Sequence, residues 1–335
     1  MKKNKANIKD VAVLAGISAT TVSAYLNKTA PVNVKTAKRI KEAIEELDYK
    51  PNLIARSLKI RNSKTIGLIF PDIENTFFIK LIRKAEEVAF ENGYTVILCN
   101  TQNKPDMEKL YLEVLKGKMV DGFLIITSFK DKDYLENILK DEKVVYVDRH
   151  VGIKNEIVLK LDNVKGLEMA VDYLVSLGHK RIGYINVKPD ITVGIERLKG
   201  YKNSLKKANI PLIPDLLKFS GFSIESSYEK AKELLTQKNR PTALVSVSNR
   251  ITIGALQAIK DLNLRIPDDI SVVGFDDIIT ANILSPPLTV VDQPAYDFGK
   301  IGIDILINRI NGKKVENRII KLEPELIIRE SCKKL

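Results

Sequence analysis

IKDVAVLAGISATTVSAYLN, residues 8–27, sets two short amphipathic runs on either side of an Ala-Gly pair. Ile8, Val11, Ala12 and Ala15 recur at the spacing of one helix face, which predicts a first helix. Gly16 can end it in the left-handed conformation, and Ser18 can cap a second helix that runs to about Asn27. In that helix Val22, Tyr25 and Leu26 would turn back to the first, leaving Ala19, Thr20, Ser23 and Ala24 outward. A third run, with Ala37, Ile40, Ile44 and Leu47 behind a cap at Asn33, completes a helix–turn–helix with a supporting helix. The outward face of the second helix is small and hydroxyl-bearing. Side chains of that size fit the major groove of DNA, where short hydroxyls and methyls meet base edges.

Charge favours the same reading. The 335 residues carry a net charge of +12. Residues 1–64 hold eleven lysines and three arginines against two aspartates and three glutamates, so nine of those twelve charges sit in the first fifth of the chain. A basic module on a near-neutral body is the footprint of a nucleic-acid-binding head. Thr20 and Thr21 are expected at base edges or phosphates. The Ala19 methyl is expected against a thymine methyl, and Lys28, Lys35, Lys38 and Arg39 at phosphates.

YKPNLIARSLKIRNSKT, residues 49–65, follows. Pro51 can open a helix at its first position. The helix, about residues 52–59, has some two turns and would need outside support to form. Leu58 is an apolar residue among Arg56, Lys59 and Arg61. It reads either as a wedge that unstacks a base step in the minor groove or as packing against the next domain.

From Lys64 on, strand-like runs (TIGLIFP, YTVILCN, GFLIITS, KVVYVDR, RIGYINV, ALVSVS, ISVVGFDD) alternate with amphipathic helical runs. That order predicts parallel, doubly wound α/β sheets. About ten strands over some 260 residues are better served by two sheets than one, with ligands at the strand carboxyl ends and between the lobes. Enzyme motifs are absent: no Walker sequence, GxGxxG, GxSxG or HExxH occurs, and His150 and His179 lack evident catalytic partners. Adjacent Asp276 and Asp277 should point apart on an extended end. Cys99 and Cys332 are too far apart, without histidines at ligand spacing, for a zinc site or disulfide framework, and read as inert thiols. No window approaches the ~18 apolar residues of a membrane span. The charged start is unlike a secretory leader, so the cytoplasm is the expected compartment. No cofactor, metal or catalytic residue is expected.

Together these stretches resemble the LacI/GalR (lactose/galactose repressor) family. Residues 8–27 resemble its head and YKPNLIARSLK its hinge helix. TIGLIFPDIENTFF, VDGFLIIT, YVDRH, LGHKRIGYIN, ERLKGYKNSL, ISVVGFDD and PELIIRES resemble its core landmarks, in order. The resemblance spans about residues 8–331. It implies a DNA-binding head at 1–50, a hinge at 51–63 and an effector-binding, dimerising core at 64–335. Within the core it implies an N-subdomain of about 64–161 plus 294–322, and a C-subdomain of about 162–293 plus 323–335. The core would be periplasmic-binding-protein-like. The protein would act as a homodimeric repressor on a pseudo-palindromic operator, controlled by a small effector.

Carried over by position, Ala19 and Thr20 fall at base-reading sites, and Thr21 and Ser23 at phosphate or support sites. Asn27, Lys28, Lys35 and Asn52 complete the DNA-facing set. Ala55, Leu58 and Lys59 fall at minor-groove positions. Phe77, Phe78, Thr127, Asp148, Arg197, Phe222, Asn249, Asp276 and Gln293 fall at effector positions. Of these, Arg197 and Asp276 would bind vicinal hydroxyls by charge-assisted bonds. Three departures stand out. Ala24 replaces a larger polar residue, Thr76 a proline, and Arg250 the aspartate common after Asn249. Arg250 reads either into the cleft mouth or toward solvent. The chain carries no C-terminal leucine heptad, which favours a dimer over a helix-tethered tetramer. The implied effector is a sugar or sugar derivative that releases the operator. A corepressor, either a nucleobase or a partner phosphoprotein, is the alternative. A sugar-binding transport protein is the rival outside DNA binding, and the basic head argues against it.

Overall fold

Asn7 begins the first helix by accepting from the backbone of Lys9 and Asp10, while the Asp10 carboxylate accepts from the Asn7 amide. This reciprocal cap fixes α1 (Ile8–Ala15), and Gly16 closes it at φ 59°, ψ 45°. α2 (Ala19–Asn27) starts behind the Ser18 hydroxyl, which accepts from the Thr21 amide. α3 (Val34–Glu46) starts behind Asn33, whose carbonyl oxygen accepts from the Thr36 amide. Val11, Ala12, Ala15, Val22, Ile40 and Ala43 form the core of this three-helix head. The computed structural model describes residues 6–27, 30–49, 63–153, 156–278, 280–315 and 318–335. They belong to two compact units, Met1–Ser63 and Lys64–Leu335. The proposed hinge residues Asn52, Ala55, Leu58 and Lys59, and also Lys28, lie outside the described residues.

The second unit holds two six-stranded sheets. β1 (Thr65–Phe70), β2 (Thr95–Asn100), β3 (Gly122–Ile125), β4 (Val144–Val147), β5 (Val158–Leu161) and β11 (Ile319–Leu322) build the first, in the order β11-β5-β4-β3-β1-β2. β6 (Ile182–Val187), β7 (Leu217–Ser220), β8 (Ala243–Ser246), β9 (Ser271–Phe275), β10 (Thr289–Asp292) and β12 (Glu325–Ile327) build the second, in the order β12-β10-β9-β8-β6-β7. Every pairing is parallel except β10–β12, where Val290 faces Ile327 antiparallel. The described residues thus hold twelve strands where about ten were expected. The additions include β7, β11 and β12, which bury little of their length.

Helices flank both sheets. α4 (Thr76–Glu91), α5 (Pro105–Gly117) and α6 (Lys132–Ile138) follow strands of the first sheet. α7 (Asn163–Ser176), α8 (Thr192–Lys207), α9 (Ile224–Leu235) and α10 (Asn249–Asp261) lie along the second. α11 (Ala295–Ile310) follows β10 of the second sheet yet packs on α4, β3 and β4 of the first. The chain therefore passes between the sheets three times: after β5, after β10, and between β11 and β12. Three short crossings make a hinge on which two packed lobes can turn without either core unpacking.

Three helix pairs are drawn together by glycine. A Cβ on Gly299 of α11 would lie 2.3 Å from the Leu81 carbonyl oxygen of α4. One on Gly200 of α8 would lie 2.3 Å from the Val164 oxygen of α7, and one on Gly254 of α10 would lie 2.5 Å from the Ile224 oxygen of α9. Both cysteines are free thiols, and burial pushes each up to about 11, so neither is ionised near neutrality.

Candidate functional site

Two surfaces answer to the residues singled out by sequence. On the head, Thr20 and Lys35 are exposed. Ala19 is not outward as expected: it is half-buried against the head core, because the first turn of α2 leans on α1. The Thr21 hydroxyl lies 2.8 Å from the Ser18 hydroxyl, engaged at the helix cap. Arg39 donates to the Gly16 carbonyl oxygen at 3.3 Å and so braces the turn between α1 and α2. Lys38 is exposed and pairs loosely with Glu42 at 3.9 Å. Ser23 and Ala24 are half-buried. α2 ends on Asn27, whose side chain is outside the described residues.

The second surface is the cleft between the two sheets, at the carboxyl ends of their strands, where parallel sheets expose backbone polar groups and loops diverge. β4 runs into Asp148 and Arg149, β9 into Asp276, β10 into Gln293, and β1 into the loop carrying Asp72 and Asn75. Phe77 and Phe78 follow on α4, Arg197 comes from α8, and Phe222 stands between β7 and α9. All of these, with Arg250, line one cavity. Both aspartates have left-handed backbone, φ 61° at Asp148 and 71° at Asp276. A non-glycine residue there costs on the order of 1–3 kcal/mol and persists only where the surroundings enforce it. Asn103, also in the lining, shares this conformation at φ 56°.

Asp276 accepts from the Asn249 amide at 3.2 Å and from the Gln293 side-chain amide. Arg197 donates Nε to Asn163 at 2.8 Å and Nη1 to the Val247 carbonyl oxygen, and lies 3.9 Å above the Phe275 ring. Arg197 and Asp276 thus share the cavity without a direct ion pair; other partners orient each of them. Arg149 is buried, 4.6 Å over Phe222, and donates to Asn103 at 2.8 Å. Burial raises the carboxyls of Asp148 and Asp276, and the charge of Arg197 opposes it at both. Burial lowers Arg149. Four polar atoms of the lining are buried without a hydrogen-bond partner: Asp148 Oδ1, Arg149 Nε, Arg250 Nε and Gln293 Oε1. The free space between the walls is about 40 Å³, room for little more than a water, so a ligand of ordinary size must part the lobes.

Two of the residues assigned by resemblance do not line this cavity. The Thr127 hydroxyl donates to Glu108 at 2.7 Å, because the chain after β3 folds back on α5. Asn249 donates to Asn75 and Thr76, both at 2.9 Å, and so ties the two lobes together. Arg250 turns into the cleft mouth, 2.6 Å from Glu74 and 3.6 Å from Asp72 across the gap. Sequence reasoning missed Asp72, Asn103 and Arg149. Their one available signal was position, just after strands β1, β2 and β4. Asp277 pairs through both oxygens with Arg329, at 2.9 and 3.0 Å, so the two adjacent acids do point apart. His150 is bonded to Glu156 at 2.7 Å, and His179 is held between Thr242 and the Lys333 carbonyl oxygen. Among the described residues no group of side chains could hold a metal ion, and no helix is long and apolar enough to cross a membrane.

Glu108 gives a pH-dependent test of this wall. It is fully buried, and burial raises its carboxyl from 4.5 to about 7 against the bonds from Ser128 and Thr127. Between those two values the folded chain binds more protons than the unfolded chain, so stability falls as pH rises through that window. Glu108→Gln is therefore expected to raise the melting temperature relative to wild type at pH 8 and to leave it nearly unchanged at pH 5. Equal shifts at both pH values would count against a charged buried Glu108.

The family model for bacterial regulatory proteins of the lacI family matches residues 7–52, and that for a periplasmic binding protein-like domain matches residues 171–332. The HTH-type transcriptional repressor PurR of Histophilus somni is 37% identical over 98% of this chain and 100% of its own. The lac repressor dimer bound to operator superposes with a TM-score of 0.86 at 25% identity, over 98% of this chain and 100% of that one. A LacI family transcriptional regulator from Enterococcus faecium with bound ribose gives 0.73 at 28% identity, over 81% and 99%.

Proposed function

Because the chain belongs to the lacI family of bacterial regulatory proteins, and is a DNA-binding transcriptional regulator with a ligand-binding body, we propose that it is a homodimeric repressor released from its operator by a sugar or sugar derivative. The observation that carries the sugar reading is the balance of the cavity lining. Arg149, Arg197 and Arg250 are matched by Asp72, Asp148 and Asp276, so the site has no charge to spare for an ionic ligand. Its atoms without a hydrogen-bond partner are two acceptors, on Asp148 and Gln293, and two donors, on Arg149 and Arg250. A hydroxyl both gives and takes a hydrogen bond, so a polyol suits donors and acceptors alike. Phe77, Phe78 and Phe222 supply apolar cover for a ring. Thr127 and Asn249 act behind this set, holding the walls.

The head contacts would come from Ala19, Thr20, Thr21, Ser23, Asn27, Lys28 and Lys35. A hinge over residues 51–63 would add Asn52, Ala55, Lys59 and the Leu58 wedge. Exposed Phe90 and Leu98, the latter on edge strand β2, together with Ile283 on the second lobe, favour a partner copy. The relative with bound ribose makes a sugar the first class to try. In this scheme the effector acts through its different affinity for two lobe arrangements, a coupling of about 1–3 kcal/mol. The protein is not an enzyme, and its place is the bacterial cytoplasm, with the DNA.

The test is a thermal-shift screen of sugars, sugar phosphates, nucleobases and nucleosides. A ligand at ~100 times its Kd stabilises by about 2.7 kcal/mol. One sugar should raise the melting temperature of wild type but not of Asp276→Asn, and should lower the affinity for a duplex selected by the protein from a random pool. A shift with a nucleobase alone, or tighter duplex binding with ligand, would replace this reading with the corepressor one.

A further inference from the structure

Beyond Arg250 the cleft does not end. A second hollow of about 520 Å³ adjoins the inner cavity and shares Asp72, Asn103, Phe222 and Arg250 with it. The rest of its wall comes from residues 71–74, from Asn100 and Gln102 at the end of β2, and from Ser223 ahead of α9. Pro71, Ile73 and the Phe222 ring are outnumbered there by amides, carboxylates, a hydroxyl and the Arg250 guanidinium, a lining suited to a hydroxylated ligand with apolar ring faces.

Arg250 stands at the junction. Glu74 and Asp72 hold its Nη1, but its Nε is a buried donor with no partner. A buried N–H left unmade costs free energy, and an arginine can only donate, so the missing group is an acceptor. The oxygen that links two sugar rings carries no hydrogen and can only accept. We propose that the effector is a disaccharide or glycoside, with one ring in the inner cavity, a second hydroxylated unit in the outer hollow, and the linking oxygen at Arg250 Nε. This rests on the sugar reading above and narrows it. Arg250 would then report ligand length: a single ring leaves its Nε unpartnered and the outer amides to water.

Titration calorimetry on the full-length protein tests this with paired probes: glucose against cellobiose, maltose and trehalose, and galactose against lactose and melibiose. One disaccharide is expected to bind at least about tenfold tighter than its component monosaccharides, the gain of one or two additional hydrogen bonds. Gln102→Gly suits the left-handed backbone there, φ 54°. It should weaken that disaccharide about fivefold, the worth of one bond, while the monosaccharide keeps its affinity. Arg250→Lys keeps the charge but removes Nε, and should also weaken the disaccharide. Monosaccharides binding as tightly as disaccharides, or Gln102→Gly weakening both alike, would overturn the two-part effector and leave the sugar reading standing. Failure of every sugar of either length, with binding of another class, would remove both.

Discussion

Replacing Arg197 with methionine should lower the stability of the ligand-binding unit by about 3–5 kcal/mol, the range for removing one member of a buried charge set. For a unit of this size the melting temperature should fall on the order of 10 °C. The reason is what remains. Arg197 is buried, bonds Asn163 and the Val247 carbonyl oxygen, and lies on the Phe275 ring. Its charge opposes the burial that raises both Asp148 and Asp276. Without it two carboxylates stay buried among phenylalanines with less compensation. Their pKa values would rise further, so the loss should be larger at pH 8 than at pH 5, where protonation relieves it. Methionine keeps much of the side-chain volume, so an unfilled cavity is not the main loss. The double variant Arg197→Met, Asp276→Asn should recover part of it. Denaturant melts at the two pH values decide the matter. A loss below about 1 kcal/mol that ignores pH would mean that Arg197 is a packing residue and that the cleft's charges do not balance one another.

Gly299→Val should be nearly as damaging, for a reason without charge. The Cβ of any residue at 299 would lie 2.3 Å from the Leu81 carbonyl oxygen and 2.9 Å from the Ala85 nitrogen. Both are backbone atoms of α4, so no rotamer change can relieve the clash. α11 must move away, opening the contact that covers β3 and β4. Overpacking typically costs about 1–3 kcal/mol, and a backbone clash belongs at or above the top of that range. Gly302, one turn further along α11, is the control. A Cβ there meets a Leu124 methyl at 3.1 Å, the end of a side chain that can turn. Removing a glycine from a helix interior gains up to about 1 kcal/mol, so Gly302→Ala should be neutral within that amount. Equal melting temperatures for Gly299→Val and Gly302→Ala would refute the close helix approach.

Legibility followed the range of the interactions. Strand β1 (TIGLIF) and strand β9 (SVVGF) could be read from uninterrupted apolar runs, since both faces of an inner parallel strand are covered. β7 (LKFS) and β11 (IIKL) are half-polar edge strands, and nothing local separates them from loop. In the cleft, Asp148 and Asp276 were singled out by resemblance. Arg149, beside one of them, carries no local signal that marks it as buried; Phe222 and Asn103 hold it inside.

By itself the sequence determined the three-helix head, through spacing and caps such as Asn7, Gly16, Ser18 and Asn33, each acting within a few residues. It determined the concentration of positive charge at the start of the chain, and the strand–helix alternation that requires parallel sheets. Tertiary structure alone decided which side chains face the cleft. It turned Thr127 away to Glu108, brought Asn249 to Asn75 and Thr76, and settled Arg250 into the mouth against Glu74, 176 residues away. The first contact closes within one lobe and the others join the two lobes; all depend on where the sheets and helices pack rather than on local periodicity.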